Sequence, residues 1–212
     1  VDANNNTVTI NAGTFGDGFY LCGYDIIYGA GGSGNILNLR TKMLKKNSSE
    51  NATAYVVGGF NIMNFTLPAD IQGGETMLGT NFLVVDTSGT GTAKVNVKAA
   101  DGVKLNAGDV ITLIDVVDGG TRMDAFVEGD DGILGGVAEF YDESVAGDKN
   151  NDGDTNDLVI TLLQDFEQLE PEPEPEPKAM GDKEKAPVEA IAATAAMLNQ
   201  SADLAMGEGL AS

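Results

Sequence analysis

The sequence predicts an all-β body over residues 1–167, coiled as a β-solenoid, then an extended linker over 168–185 and an α-helix within 186–212. Three observations lead there. Short runs of alternating apolar and polar residues recur through the body between Gly-rich turns, the runs are loosely alike, and both patterns stop at a Glu-Pro repeat. The chain has no Trp or His and 28 Gly in 212 residues. Its core must therefore be built from small aliphatic side chains, which favours many short strands.

In chain order, TVTINAG (Thr7–Gly13), NILNLRTK (Asn35–Lys42), FNIMNFTLP (Phe60–Pro68) and TAKVNVKA (Thr92–Ala99) each alternate with period two. That is the signature of a half-buried strand. DVITLIDVV (Asp109–Val117) and DLVITLL (Asp157–Leu163) are denser in Val, Ile and Leu and read as strands buried on both faces. Turn signals separate them at Gly16–Gly18, Gly29–Gly34, Gly73–Gly74, Gly89–Gly91, Gly119–Gly120 and Gly135–Gly136. The phrases N-x-V-x-I and N-x-L-N-L recur, and NAG appears at Asn11–Gly13 and Asn106–Gly108. Loose self-similarity of this kind suits coils that each add strands to one stacked core. A β-sandwich is the competing architecture, since short, regularly spaced strands fit it too.

At Gln168 the rules change. Four Glu-Pro repeats, Glu170–Pro177, remove alternate N–H donors and push each Glu out of the helical region. Eight residues in polyproline II, at ~3.1 Å each, make a semi-rigid spacer of roughly 25 Å. Beyond it, Pro187 suits a first helical turn and Glu189 its N-terminal dipole, while Gly207 and Gly209 can end the helix. Val188, Ile191, Ala195, Leu198, Ala202 and Ala205 fall on one stripe of a helix of ~20 residues and ~30 Å.

Charge is unevenly spread. Residues 1–127 hold 12 acids and 8 bases, residues 128–177 hold 16 acids and one base, Lys149, and the remainder hold 5 and 3. A net charge of -21 repels nucleic acid and anionic lipid, so no nucleic-acid partner is expected. Cys22 is the sole cysteine, which excludes an internal disulfide and suits a chain exported unfolded. No apolar run approaches the ~20 residues of a membrane-spanning helix, and the N-terminus lacks the features of a signal peptide. The chain therefore reads as a fragment of an exported protein.

The order of these parts resembles the junction region of bacterial autotransporters (type V secretion). In that family a solenoid passenger is joined by a linker and a helix to an outer-membrane β-barrel, which the helix threads. Asn199–Gly209, NQSADLAMGEG, is similar to the phrase that precedes many such barrels. Asn61–Leu78 and Ala93–Val116, with Gly102, Leu105, Gly108, Asp109, Ile111 and Leu113, resemble the last coils of such passengers. NNTVTINAGTFGDGFYLCGYD resembles the Gly-rich coils of larger ones. The resemblance implies a right-handed parallel β-helix whose terminal coils, about residues 75–165, act as an autochaperone. It also implies a location at the outer membrane, at the cell surface or in the medium. The implied partners are the chain's own β-barrel translocator beyond Ser212, the barrel-assembly machinery, and a host-surface or matrix ligand. The Asn-Asn cleavage motif of self-releasing members is not found at this junction.

Among candidate sites, DKNNDGDTND (Asp148–Asp157) carries the most chemistry. Asp148, Asn150, Asp152, Gly153, Asp154 and Asn156 match positions 1, 3, 5, 6, 7 and 9 of a calcium loop, which makes the five side-chain oxygens candidate calcium ligands. Position 12 is Val159 instead of a bidentate Glu, and a strand follows where a helix would. A polar turn between GVAEFYDESV and DLVITLL accounts for the same residues. Catalysis has little to work with. Without His, no Ser-His-Asp or Cys-His machine can form. Cys22 reads as a small core residue, and the acid pair Asp130–Asp131 lies in a Gly-rich loop without a Trp platform for sugar. The sequons at Asn5, Asn47, Asn51, Asn64 and Asn199 are what this composition gives by chance, and the basic stretch Lys42–Ala52 reads as an exposed loop. The expected function is structural and adhesive, not enzymatic. The alternative is a calcium-dependent extracellular binding module, a β-sandwich with an anchoring tail.

Overall fold

A computed structural model describes residues 4–16, 18–23, 32–45, 51–85, 91–122 and 125–169. The Glu-Pro run and the helix expected within 186–212 lie outside the described residues.

Alternation decides which way each strand faces. In β4 (Ile36–Leu39) Leu37 and Leu39 are buried, in β7 (Ile62–Leu67) Met63, Phe65 and Leu67, and in β9 (Thr92–Ala99) Ala93, Val95 and Val97. The residues between them face outward. These strands stack with β1 (Thr7–Ile10) and β12 (Ala125–Ile133) into one five-stranded sheet, parallel throughout, in the order β1-β4-β7-β9-β12. Between visits to this sheet the chain lays down β3 (Phe19–Cys22), β6 (Thr53–Gly58), β8 (Gly79–Val84) and β11 (Val110–Arg122), which stack parallel into a second sheet. The short strands β2 (Thr14–Phe15) and β5 (Leu44–Lys45) pair along a third side. That side continues without a further strand: the Met43 amide donates to the Met77 carbonyl at 2.9 Å, and the Met77 amide to Thr112 at 2.8 Å.

A chain that returns to the same sheet once per coil is a β-solenoid, here of about three turns. The sandwich alternative is not formed. It needs mainly antiparallel neighbours, whereas every pairing in the first sheet is parallel. The core runs up the middle, where Leu37, Phe60, Phe65, Met77, Leu83 and Ile111 are fully buried.

Asparagine side chains hold the coils together at the edges of this core. On the outer face of the first sheet Asn38, Asn64 and Asn96 form a ladder. The Asn64 Nδ2 donates to Asn38 Oδ1 and the Asn96 Nδ2 to Asn64 Oδ1, each at 2.9 Å, and Asn38 Nδ2 donates to Thr9 Oγ1 at 3.1 Å. At the corner that enters the sheet, the Asn6 amide donates to Asn35 Oδ1 and the Asn35 amide to Asn61 Oδ1, at 2.9 and 3.0 Å. The recurring N-x-x-N of NILNL and NIMNF is therefore two ladders, one at the corner and one mid-strand.

In the second sheet parallel stacking ends at β11. Past the turn Leu134–Gly136 come β13 (Ala138–Asp142), the single-turn helix α1 (Glu143–Ala146), β14 (Leu158–Leu162) and β15 (Phe166–Glu167). β14 pairs antiparallel with both β11 and β13, and β15 antiparallel with β10 (Lys104–Leu105). The second sheet thus finishes as β13-β14-β11. Val159 and Ile160 in β14 are fully buried, so this strand is covered on both faces as its apolar run predicts.

Candidate functional site

The acid-rich segment 147–157 joins α1 to β14 within this terminal cap. Local chemistry shapes it. Asp142 caps α1, its Oδ1 accepting from the Ser144 amide at 3.1 Å, and its Oδ2 accepts from the Phe126 amide of β12 at 3.1 Å. Asn151 takes a left-handed backbone at φ 61°, and Gly153 lies at φ 106°, which lets the loop fold back on itself.

The candidate ligands Asp148, Asn150, Asp152, Asp154 and Asn156 all lie in this loop. Several are turned onto the loop's own backbone. Asp148 accepts from the amides of Asn151 and Gly153 at 2.6 and 3.2 Å. The Asn150, Asp152 and Asp154 Oδ1 atoms accept in turn from the amides of Asp152, Asp154 and Asn156, at 3.2, 3.1 and 3.2 Å. These are successive side-chain turns of the kind that Asn and Asp favour. Asn150 reaches furthest inward, its Nδ2 donating to Asp157 Oδ2 at 2.9 Å and Asp152 Oδ2 at 2.8 Å.

A different acid set converges behind the loop. One carboxylate oxygen each of Glu143, Asp154 and Asp157 lie within 4.8 Å of one another. Glu143 is 1% exposed and Asp157 is 0% exposed. The Asp157 Oδ1 accepts from the Val116 amide of β11 at 2.7 Å, which ties the loop to the last parallel strand of the second sheet. Burial pushes the Asp157 carboxyl up to about 8; the charges of Asp115, Asp154 and Asp152 add to this and the Val116 amide opposes it. Burial also raises the Glu143 carboxyl, with Asp152 and Asp148 adding and the amides of Lys149 and Asn150 opposing. Of the predicted ligands only Asp154 belongs to this set. Asp157 lay inside the motif but off its ligand positions, and Glu143 lay outside it. The one sequence signal for either was an acid set directly against an apolar strand.

The remaining candidates are dispersed. Asp130 and Asp131 are exposed, and each is paired with its own lysine, Lys94 at 2.8 Å and Lys98 at 2.9 Å, so they do not face one another as an acid pair. Cys22, expected in the core, is half-buried at the end of β3. The described part of Lys42–Ala52 is less exposed than its charge suggested. Met43 and Ala52 are fully buried in the stack, and Lys42, 12% exposed, is held by Asp70 and Glu75 at 3.2 and 3.1 Å. Among the described residues no helix is long and apolar enough to cross a membrane. Comparisons of the chain with protein-family models, curated proteins and solved structures found no match.

Proposed function

We propose that the chain is the C-terminal part of an autotransporter passenger, exported through or displayed on the outer membrane as a structural and adhesive module and not an enzyme. On this reading the solenoid is right-handed. Residues 168–185 are the linker and 186–212 the pore helix leading into the β-barrel translocator. Assembly depends on the barrel machinery, and a host-surface or matrix ligand is the outward partner. One observation supports the reading above the rest: a parallel solenoid whose second sheet is closed at β11 by the antiparallel hairpin of β13 and β14. Parallel coils bring together residues far apart in sequence, here by steps of 29, 26 and 32 residues along the ladder, and such pairings are slow to nucleate. Within the cap β13 and β14 pair across only 16–24 residues, and this pre-formed hairpin then reaches β11 across 44–51. Coils that emerge first from a pore and fold first would act as the autochaperone assigned to about residues 75–165.

The test joins the chain to a signal peptide and a translocator barrel and measures protease resistance of the displayed coils. Removing residues 125–167 is expected to leave residues 1–124 protease-sensitive, whereas removing residues 1–34 is expected to leave the remaining coils resistant. Equal resistance without the cap, or equal damage from the two deletions, would refute the directional reading.

A further inference from the structure

We propose that Glu143, Asp154 and Asp157 hold one calcium ion where the cap loop meets β11 and β14. Oxygens bound to a single calcium at 2.3–2.6 Å can lie up to about 5 Å apart. The three carboxylates already meet that condition, with one oxygen of each within 4.8 Å of the others. The independent observation is at Glu143. Its Oε1 accepts from the amides of Lys149 and Asn150 at 2.6 and 3.1 Å. Its Oε2 is buried and has no hydrogen-bond donor among the described residues. A buried carboxylate oxygen without a donor carries a cost that is removed by a proton or a cation. The ammonium of Lys149 does not supply that charge, because it sits over the Tyr141 ring, 4.8 Å from the centroid.

The donor set selects the ion. It is all oxygen, in a chain with no His, which disfavours zinc and copper. Magnesium demands near-ideal octahedral geometry and keeps most of its water, whereas calcium accepts irregular carboxylate sites on loops. The site differs from the calcium loop expected from sequence. Asp148 spends its two oxygens on the amides of Asn151 and Gly153, so it is scaffold for the loop.

Calcium titration of the chelator-stripped 212-residue chain, by calorimetry and thermal melting, tests this. One calcium should bind and raise Tm. Glu143→Gln and Asp157→Asn should each weaken binding at least about tenfold, and Asp148→Asn and Asp152→Asn should change it by less than about threefold. In chelator Glu143→Gln should melt at or above the unsubstituted chain, because its amide nitrogen replaces the buried oxygen that has no donor, and the same melts show whether both variants fold. Should either fail to fold, Asp154→Asn, at the half-buried ligand, carries the same expected loss of binding. No binding up to about 10 mM calcium, equal affinity for magnesium, or a loss with Asp148→Asn as large as with Glu143→Gln would overturn the assignment.

Discussion

Replacing Asn64 by alanine cuts the mid-strand ladder at its centre. The side chain donates to Asn38 Oδ1 and accepts from Asn96 Nδ2, each at 2.9 Å. The two losses are unequal. Asn38 is half-buried, so water can replace its partner, whereas Asn96 is 7% exposed and would be left with a buried donor. An ordinary hydrogen bond contributes about 1 kcal/mol and an orphaned buried group costs about 1–3 kcal/mol, which together give about 2–4 kcal/mol. For a chain of this size each kcal/mol moves Tm by about 2–4 °C, so the expected fall is roughly 4–16 °C. Asn38→Ala is the internal control. It removes the bonds to Thr9 and Asn64 at the more exposed end and should cost about 1 kcal/mol. Urea unfolding followed by circular dichroism, with thermal melts in parallel, measures both. A cost for Asn64→Ala below about 0.5 kcal/mol, or no larger than that of Asn38→Ala, would refute the claim that the ladder is held by its buried rung.

Further outcomes follow from the same geometry. A Cβ at Gly23 would lie 2.4 Å from the Gly59 carbonyl oxygen and 3.0 Å from Asn35 Cβ, so Gly23→Ala should cost about 1–3 kcal/mol in urea unfolding. Lys98→Ala breaks an exposed pair with Asp131 and should change the same midpoint by less than about 1 kcal/mol. In chelator, pH acts through Asp157, whose carboxyl is raised from 3.8 to about 8 by burial, with Asp115, Asp154 and Asp152 adding negative charge around it. Between those values the folded chain keeps a proton that the unfolded chain has lost, so stability falls as pH rises. Tm in chelator should therefore decline from pH 5 to 8, and Asp157→Asn should flatten that decline; a slope the variant leaves unchanged would remove Asp157 as its source.

Much of the solenoid was legible because alternation and burial agree wherever a strand is stacked on both sides. NILNL, NIMNF and AKVNVKA point Leu37, Leu39, Met63, Phe65, Ala93, Val95 and Val97 inward, while Ile36 and Ile62 stand on the outer face. The strands β2, β5, β10 and β15 were not legible, since two residues cannot carry a period. Nor was β12, whose AFVEGDDGI has no alternation and is held by its pairing with β9. There the register shifts between Glu128 and Ile133, and the Asp131 amide reaches Asn96 Oδ1 at 3.0 Å, ending the ladder. Lys42–Ala52 misled for a related reason. Its charges mark a loop, but Met43 belongs to the stack. The acid site was half legible: the motif located the loop, while the converging set combines Asp154 with a helix residue and a strand-edge residue that only the cap brings together.

The concentration of acids before the linker bears on how the two proposals join. Residues 128–177 carry 16 acids against one base, a density that opposes compaction by self-repulsion. Besides the helix cap Asp142, two of those acids, Glu143 and Asp157, are nonetheless buried in the segment proposed to fold first. Without a cation they disfavour the cap, and with one they cross-link α1, the loop and β14, while Asp157 ties the loop to β11. Extracellular calcium modules work at about 10⁻⁴–10⁻³ M, the concentration range that separates the outside of a cell from its cytosol. A cap of this design would stay loose where calcium is scarce and close where it is plentiful, coupling the first folding event to arrival outside. The coupling makes a separate demand: in the display assay, chelator should reproduce the loss caused by deleting the cap, and Glu143→Gln should make display insensitive to chelator. If chelator leaves the displayed coils protected, calcium binding and passenger folding are independent, and each proposal must stand on its own test.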